Sequence, residues 1–308
     1  MGRPSAQIAT HDESPADPTG RCEQLHTPSA GEPMPSRPAG GVLAWLFPRQ
    51  HGAWSILLVG YLVGALAVDG RGGAVPWIVL VSTLAGFLGQ HATVTALRAR
   101  PSQRRDAVVA ALGLNSLSVG LLATLILVHG IRPLLPVVAA GAVLAILSLL
   151  VQLRHRERTA WGELVGVLGL SSVVLIAAVS RAEALGPESL GLWLLALLYF
   201  AGSVFHVRFL VRNWRARREP LAQRLQAGWA SVVYHSAALL IVVSLSALGW
   251  APPWAAAALV PVAIKALWAL RRGGDAPPVI RTLGLIELGH SLAFAACIVL
   301  IYRLANAA

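Results

Sequence analysis

The residues of this chain that could do chemistry are polar side chains set a few positions inside the ends of long apolar segments. Imidazole exchanges protons and binds metals near neutral pH, and the guanidinium of arginine binds carboxylate or phosphate through two parallel hydrogen bonds. Together these residue types favour binding of a polar or anionic group, and they identify no catalytic residue. The candidate ligand-binding residues are His51, Gln90, His91, His206, Arg208, Asn213, His235, Glu287 and His290.

These candidates share a depth. A helix rises about 1.5 Å per residue, and each candidate lies within a few turns of the segment end that also carries arginines. A polar side chain in a bilayer is costly unless it faces a cavity or a partner, so we predict one pocket that opens toward the cytoplasm. The alternative is that each histidine only makes a hydrogen bond between two helices, and the sequence leaves this open.

The elements that would position these residues are membrane-spanning helices. Hydrophobic residues make up 56% of the 308 residues and charged residues 13%, which indicates an all-α integral membrane protein rather than a soluble domain. A hydrocarbon core of about 30 Å is spanned by roughly 17–25 helical residues. We predict nine such helices, at about 52–69, 76–97, 107–128, 133–153, 162–180, 190–211, 227–249, 252–270 and 282–302.

The loops between these segments alternate between nearly neutral and arginine-rich. The arginine-rich loops are 98–105, 154–158, 212–224 and 271–281. Because cytoplasmic loops carry the excess of lysine and arginine, we predict a cytoplasmic N-terminus, an external C-terminus and a multi-pass location in a bacterial inner or plasma membrane. The same pattern accounts for the net charge of +11 without a nucleic-acid partner.

Residues 1–40 are rich in proline, serine and glycine and cannot bury enough apolar area to fold. We predict a disordered cytoplasmic tail there, uncleaved because it lacks an apolar core of signal-peptide type, followed by a nine-helix domain over residues 41–308. Cys22 and Cys297 allow no disulfide framework or CxxC metal site. Glu287 and His290 have the spacing of a helical metal motif, but no second copy exists in a helix, so no metal is predicted.

Two further expectations concern the membrane surface. Lys265 lies near a cytoplasmic helix end and is expected to extend its ammonium group to the headgroups, whereas Arg208 lies well before the next basic loop and is expected to be a deep cation. Most of the ten tryptophans fall near predicted helix ends. This placement is typical of an interfacial belt.

Three sequence runs resemble the YwiC-like family of membrane proteins. They are PRQHGAWSILLVGYLVG (48–64), LYFAGSVFHVRFLVRNWRARRE (198–219) and GWASVVYHSAALL (228–240). The resemblance extends from about Pro48 to the C-terminus and leaves the proline-rich tail outside. It implies a polytopic membrane protein, and because the family is functionally uncharacterised it implies no activity.

The helix plan is also similar, more distantly, to the UbiA-type prenyltransferase superfamily. That superfamily carries aspartate-rich motifs after helices 2 and 6, which hold Mg²⁺ against a prenyl diphosphate. The corresponding stretches here, 89–106 and 205–219, each contain one acid, Asp106 or Glu219, and an excess of arginine. Since Mg²⁺ prefers a carboxylate-rich oxygen shell, we expect a UbiA-like bundle that has lost metal-dependent prenyl transfer and has kept an amphiphile-binding cavity.

The preferred function is therefore the binding of an anionic amphiphile or a quinone-like lipid in a cytoplasm-facing His/Arg pocket. A divergent prenyltransferase that uses Asp106, Glu219 or Glu287 is the enzyme alternative. A haem-binding or assembly protein of the respiratory membrane is the third, because two histidines on facing helices suffice for axial ligation. No cofactor is predicted beyond the haem alternative, the lipid bilayer is the predicted partner, and protein partners, oligomeric state and enzymatic activity are left open.

Overall fold

All regular structure in the computed structural model is helical. The structure describes residues 46–48, 51–157, 159–215, 220–272 and 280–307, which contain nine α-helices, one 3₁₀-helix and no strand. The 3₁₀-helix, Ala255–Leu259, leads directly into the α-helix that begins at Val260. The helices are α1 (His51–Ala67), α2 (Val75–Arg98), α3 (Pro101–Leu127), α4 (Leu134–Leu153), α5 (Ala160–Ala182), α6 (Pro187–Arg215), α7 (Leu221–Ala247), α8 (Val260–Arg272) and α9 (Ile280–Ala307). The predicted tail, residues 1–40, lies outside the described residues, and its disorder stays a prediction.

Local chemistry sets the breaks between helices. Thr159 caps α5 by accepting a hydrogen bond from the Gly162 amide at 3.1 Å, an arrangement that satisfies a free backbone donor. Pro101 opens α3, where its missing amide hydrogen costs nothing. Gly130 and Gly249 adopt positive φ angles of 74° and 73° at tight turns, a conformation that glycine adopts without strain.

Seven helices of the described chain, α2–α7 and α9, are long and apolar enough to cross a membrane. Shorter apolar stretches occupy Gly52–Ala67 and Ala255–Leu267, in α1 and at the 3₁₀-helix and α8. Much of the outward surface is apolar, and only 11% of the α4 span is buried within the protein. Exposed tryptophans, Trp77, Trp161 and Trp254, lie at helix starts. These features indicate a multi-pass membrane protein.

Helices α1 and α5 form the centre of the bundle, and each contributes to two apolar cores. One core joins them to α2, α3 and α4. The other joins them to α6, α7, α8, α9 and the 3₁₀-helix. The central helices therefore separate an α2–α4 side from an α6–α9 side.

Two glycines bring α1 and α5 close together. A Cβ atom at Gly60 would lie 2.9 Å from the Val173 side chain, and one at Gly64 would collide with the Val174 carbonyl oxygen. Gly60 and Gly64 are four residues apart and share one face, so they form a small-xxx-small contact, which membrane helices use for close packing.

An ion-pair network ties together the loop ends on the predicted external side. Arg71 binds Glu183 at 2.6 Å and donates to the carbonyl of His129 at 2.6 Å. Arg303, near the end of α9, binds the carboxylate of Asp69 and donates to the carbonyl of Leu66 at 2.7 Å. The network joins α9 to the end of α1 and the α1–α2 loop to the ends of α3 and α5.

Candidate functional site

The structure divides the predicted site residues between two faces of α6. Gln90 and His91 line a cavity on the α1–α5 side, and Arg208 lies beside it. His206, His235, Glu287 and His290 lie on the α6–α9 side and do not line this cavity. His51 begins α1 and Asn213 lies near the end of α6, but both side chains lie outside the described parts of the chain.

The cavity has a volume of about 800 Å³ and is bounded by α1–α5 with Val204 of α6. This size falls in the range of small-molecule sites in proteins, roughly 300–1,000 Å³. Apolar side chains of α1, α4 and α5 form much of its wall. Its larger polar side chains lie at the ends that precede or follow the arginine-rich loops, at Gln90, His91, Gln152, Glu157 and Glu163. Asn115 and several serines and threonines line it deeper.

A polar contact between α2 and α3 shapes one wall of the cavity. Asn115 donates to Thr93 Oγ1 at 3.1 Å and to the carbonyl of Ala111 at 2.8 Å. The approach requires glycine opposite, because a Cβ at Gly89 would lie 2.8 Å from Asn115 Oδ1. Asn115 was not among the predicted site residues, although an asparagine in the middle of an apolar segment is a strong indication of a polar interior.

Each lining carboxylate of the cavity is paired with an arginine. Arg208 Nε lies 2.8 Å from Glu163 Oε2. Arg98 lies 3.9 Å from Glu157 Oε1 and donates to the carbonyl of Gln152. The predicted deep cation, Arg208, thus lies at the cavity wall with its charge balanced by Glu163. Glu163 was not among the predicted site residues. Its place in the first turn of α5 also suits a negative charge at a helix N-terminus.

The second group of polar residues surrounds a mostly buried ion pair. Lys265 Nζ of α8 lies 2.6 Å from Glu287 Oε1 of α9, and the two side chains are 13% and 15% exposed. Ser203 of α6 donates to the other carboxylate oxygen at 3.0 Å. We call Ser203, His206, His235, Lys265 and Glu287 the ion-pair cluster. The prediction that Lys265 extends to the headgroups is wrong, because its ammonium group turns inward to a carboxylate on the neighbouring helix.

Two histidines of the ion-pair cluster are almost fully buried. His206 is 3% exposed and His235 is 6% exposed. His206 lies within electrostatic range of Lys265, Glu287, His235 and His290. His235 Nδ1 is 2.7 Å from the carbonyl of Ser231, which places the proton on Nδ1 and the lone pair on Nε2. Among the described residues, His206 Nδ1 and His235 Nε2 have no hydrogen-bond partner.

The residues of the enzyme alternative lie apart from one another where they are described. Asp106 is exposed on α3, Glu287 is held by Lys265, and Glu219 lies outside the described residues. Across the described ranges, no group of three or more His, Cys, Asp or Glu side chains is disposed to hold a metal ion.

Comparison with known proteins identifies similar chains. Residues 47–178 match the family described as YwiC-like protein. The chain is 27% identical over 253 residues to the uncharacterized protein YwiC of Bacillus subtilis (strain 168), an alignment that covers 82% of this chain and 95% of that protein. No solved structure matches the chain. The chain is thus similar to YwiC-like proteins, and the matched family segment contains α1–α4 and most of α5, the helices around the cavity.

Proposed function

We propose that the protein binds an amphiphile with an uncharged, hydrogen-bonding head group, of the quinone-like class, in the cavity between α1 and α5. The observation that carries the proposal is the cavity itself, which is about 800 Å³ in volume and combines apolar walls with a few polar side chains. A binding site for a small amphiphile typically has this composition. The amide of Gln90 supplies a donor and an acceptor for a carbonyl or hydroxyl oxygen. Asn115 offers its Oδ1 as an acceptor, since its two N–H groups are bound to Thr93 and Ala111.

The charges around the cavity favour an uncharged head group over an anionic one. Glu163 and Glu157 are matched by Arg208 and Arg98. An anionic head group would have to compete with these carboxylates for the arginines. A carbonyl or hydroxyl head group needs no such exchange.

The number of membrane crossings in the proposal is larger than the seven candidate spans. We propose that α1 and the 3₁₀–α8 unit also cross, so that nine helices span a bacterial cell membrane with the N-terminus in the cytoplasm. In this orientation the charged side chains, glutamines and histidine that line the cavity lie in the cytoplasmic leaflet. A UbiA-like arrangement of the helices stays a prediction.

Two glycines provide a direct test of the cavity. Gly166 and Gly169 of α5 both line it, and a Cβ added at either position would meet no atom within 4 Å. A leucine there fills ligand space without a backbone collision. Gly120→Leu is the matched control, because its Cβ also meets nothing, but the residue is exposed on α3 and does not line the cavity.

The experiment titrates full-length protein, in nanodiscs of zwitterionic phosphatidylcholine, with a decyl-substituted benzoquinone and separately with dodecyl phosphate. We expect saturable binding of the quinone, weakened about tenfold or more, or by 1.4 kcal/mol, in Gly166→Leu and Gly169→Leu. Gly120→Leu should bind as wild type. Equal binding by all three variants would refute the cavity as the site. Saturable binding of dodecyl phosphate alone, sensitive to the same two variants, would replace the uncharged head group with an anionic one.

A further inference from the structure

The ion-pair cluster lies apart from the proposed ligand cavity, on the other face of α6. Ser203 and His206 face α8 and α9, whereas Val204 lines the cavity and Arg208 binds a residue that lines it. The cluster is therefore a second interior site, and its chemistry is independent of the occupant of the cavity.

The cluster contains one matched pair of charges and two ring nitrogens that lack a protein partner. Lys265 and Glu287 are both mostly buried, and moving two charges out of water into a membrane interior is expensive even when they are paired. A buried ring nitrogen without a hydrogen-bond partner adds a further penalty. His206 Nδ1 and His235 Nε2 are such atoms among the described residues.

The charges and ring nitrogens of the ion-pair cluster can accommodate one added proton. With Lys265 positive, Glu287 negative and both histidines neutral, the cluster has no net charge. One added proton gives an imidazole nitrogen the hydrogen that it lacks, and the Glu287 carboxylate is already present as a counter-charge. His206 is the better-placed acceptor, because it lies one turn beyond Ser203, which donates to Glu287. Burial and the Lys265 ammonium group oppose a positive charge on His206 and the Glu287 carboxylate favours one, so the proton is held only if that carboxylate turns toward the imidazolium.

We propose that the ion-pair cluster is a proton-binding site, in which His206 takes up the proton and Glu287 shifts from Lys265 toward the new imidazolium. An O–H bond of an aqueous hydronium ion breaks as the N–H bond at His206 Nδ1 forms, and nothing is oxidised or reduced. Buried histidine and carboxylate groups serve as proton carriers in membrane proteins in this way.

Each helix packed on this side contributes polar or titratable side chains to the surroundings of His206. Besides Ser203, α6 contributes Tyr199, whose hydroxyl lies 3.5 Å from Ser291 Oγ of α9. Helix α7 contributes His235, and α8 contributes Lys265. Helix α9 contributes Glu287 and His290, and His290 Nδ1 lies 2.8 Å from the carbonyl of Ile286. In this set Glu287 is the carboxylate available to an imidazolium at His206.

The test is solid-state NMR of ¹⁵N-histidine in the full-length protein, in phosphatidylcholine nanodiscs, as the buffer is taken from neutral pH to the acidic limit at which the protein stays folded, and back. His206→Gln and His235→Gln assign the two buried signals. We expect the His206 signal to change reversibly from neutral imidazole to imidazolium while the protein stays folded.

Variants of the ion pair separate a proton site from a purely structural pair. Glu287→Gln removes the counter-charge and should abolish the imidazolium signal of His206 in the same range. Lys265→Met frees the Glu287 carboxylate, and the imidazolium signal of His206 should remain. Because Glu287→Gln leaves a buried ammonium group and can fail to fold, Lys265→Met with Glu287→Gln is measured as well, and the signal should again be lost. A His206 that stays neutral until wild-type protein unfolds, or an imidazolium signal that persists in the double variant, would overturn the proposal.

Discussion

Pairing of charges is the common feature of the interior and loop residues in this protein, but the pairs differ in how far water screens them. Lys265 and Glu287 are 13% and 15% exposed, whereas Arg71 and Glu183 are 35% and 44% exposed. Screened pairs contribute little to stability, and breaking a buried pair leaves a charge in a medium that solvates it poorly. The same substitution should therefore have unequal effects at the two places.

We expect Glu287→Gln to destabilise the protein by about 3–5 kcal/mol, because Lys265 is left buried without its counter-charge. Lys265→Met combined with Glu287→Gln removes both charges at similar volume and should restore most of the loss. Glu183→Gln is the matched control and should cost at most about 1 kcal/mol. Unfolding by a graded detergent titration measures all three. Equal losses for Glu287→Gln and the double variant would show that the charge of Lys265 is unimportant.

The structure groups the polar residues differently from the sequence prediction. His206 and His235 are buried, but the candidates expected to share a single pocket are divided between two faces of α6. One part of this division could have been predicted, since successive residues of a helix turn by about 100° and His206 and Arg208 are two positions apart. The burial of Lys265 could not, because it depends on which helix packs against α8, and no spacing along one segment encodes that.

At the scale of the elements, the crossing of α1 and α5 determines the shape of the bundle. Gly60 and Gly64 let the two backbones approach so closely that the Val173 side chain and the Val174 carbonyl of α5 fill the space a Cβ would take. The run GYLVG, residues 60–64, has the small-xxx-small spacing that predicts such a contact. The spacing identifies a packing face on α1, but the identity of the partner helix comes only from the structure.

Gly64→Val should destabilise the protein by about 1–3 kcal/mol, because the branched side chain must displace the backbone of α5. Gly52→Val is the control, since it makes the same change of helix propensity near the start of α1, where a Cβ meets nothing. Thermal unfolding in detergent, followed by circular dichroism, reports the difference. A Gly52→Val loss as large as that of Gly64→Val would point to propensity rather than packing.

At the scale of the whole molecule, the number of membrane crossings depends on the two shortest apolar helices. Helix α1 has 17 residues, a length of roughly 25 Å, slightly less than a typical hydrocarbon core of about 30 Å. Each segment predicted from sequence overlaps a described helix, since a long apolar run leaves few alternatives. The lengths differ more, since α9 has 28 residues and α8 has 13. Whether a short run crosses depends on lipid thickness and flanking anchors, which the sequence of one segment does not determine.

Reporter fusions should give nine crossings. We expect a cytoplasmic signal before Leu46 and at Arg100, and an external one at Gly72 and Gly130, because of the distribution of arginines. Two separate fusions, at Gly249 before α8 and at Asp275 after it, test whether α8 crosses. The first should give an external signal and the second a cytoplasmic one. If the fusions before Leu46 and at Gly72 report the same side of the membrane, α1 does not cross. Like readings from the pair at Gly249 and Asp275 would mean the same for α8.

The contact between Arg303 and Asp69 has a consequence for biogenesis. The two residues are 234 positions apart, and α1 packs directly on α9, so the first helix to leave the ribosome has the last as a neighbour. During synthesis, lipid or an insertase must cover the face of α1 that α9 later occupies. The arginine can neutralise Asp69 only after nearly the whole chain has been translated. A nascent chain halted before α9 should therefore remain bound to the insertion machinery, and assembly should finish only when α9 is released and the bundle closes.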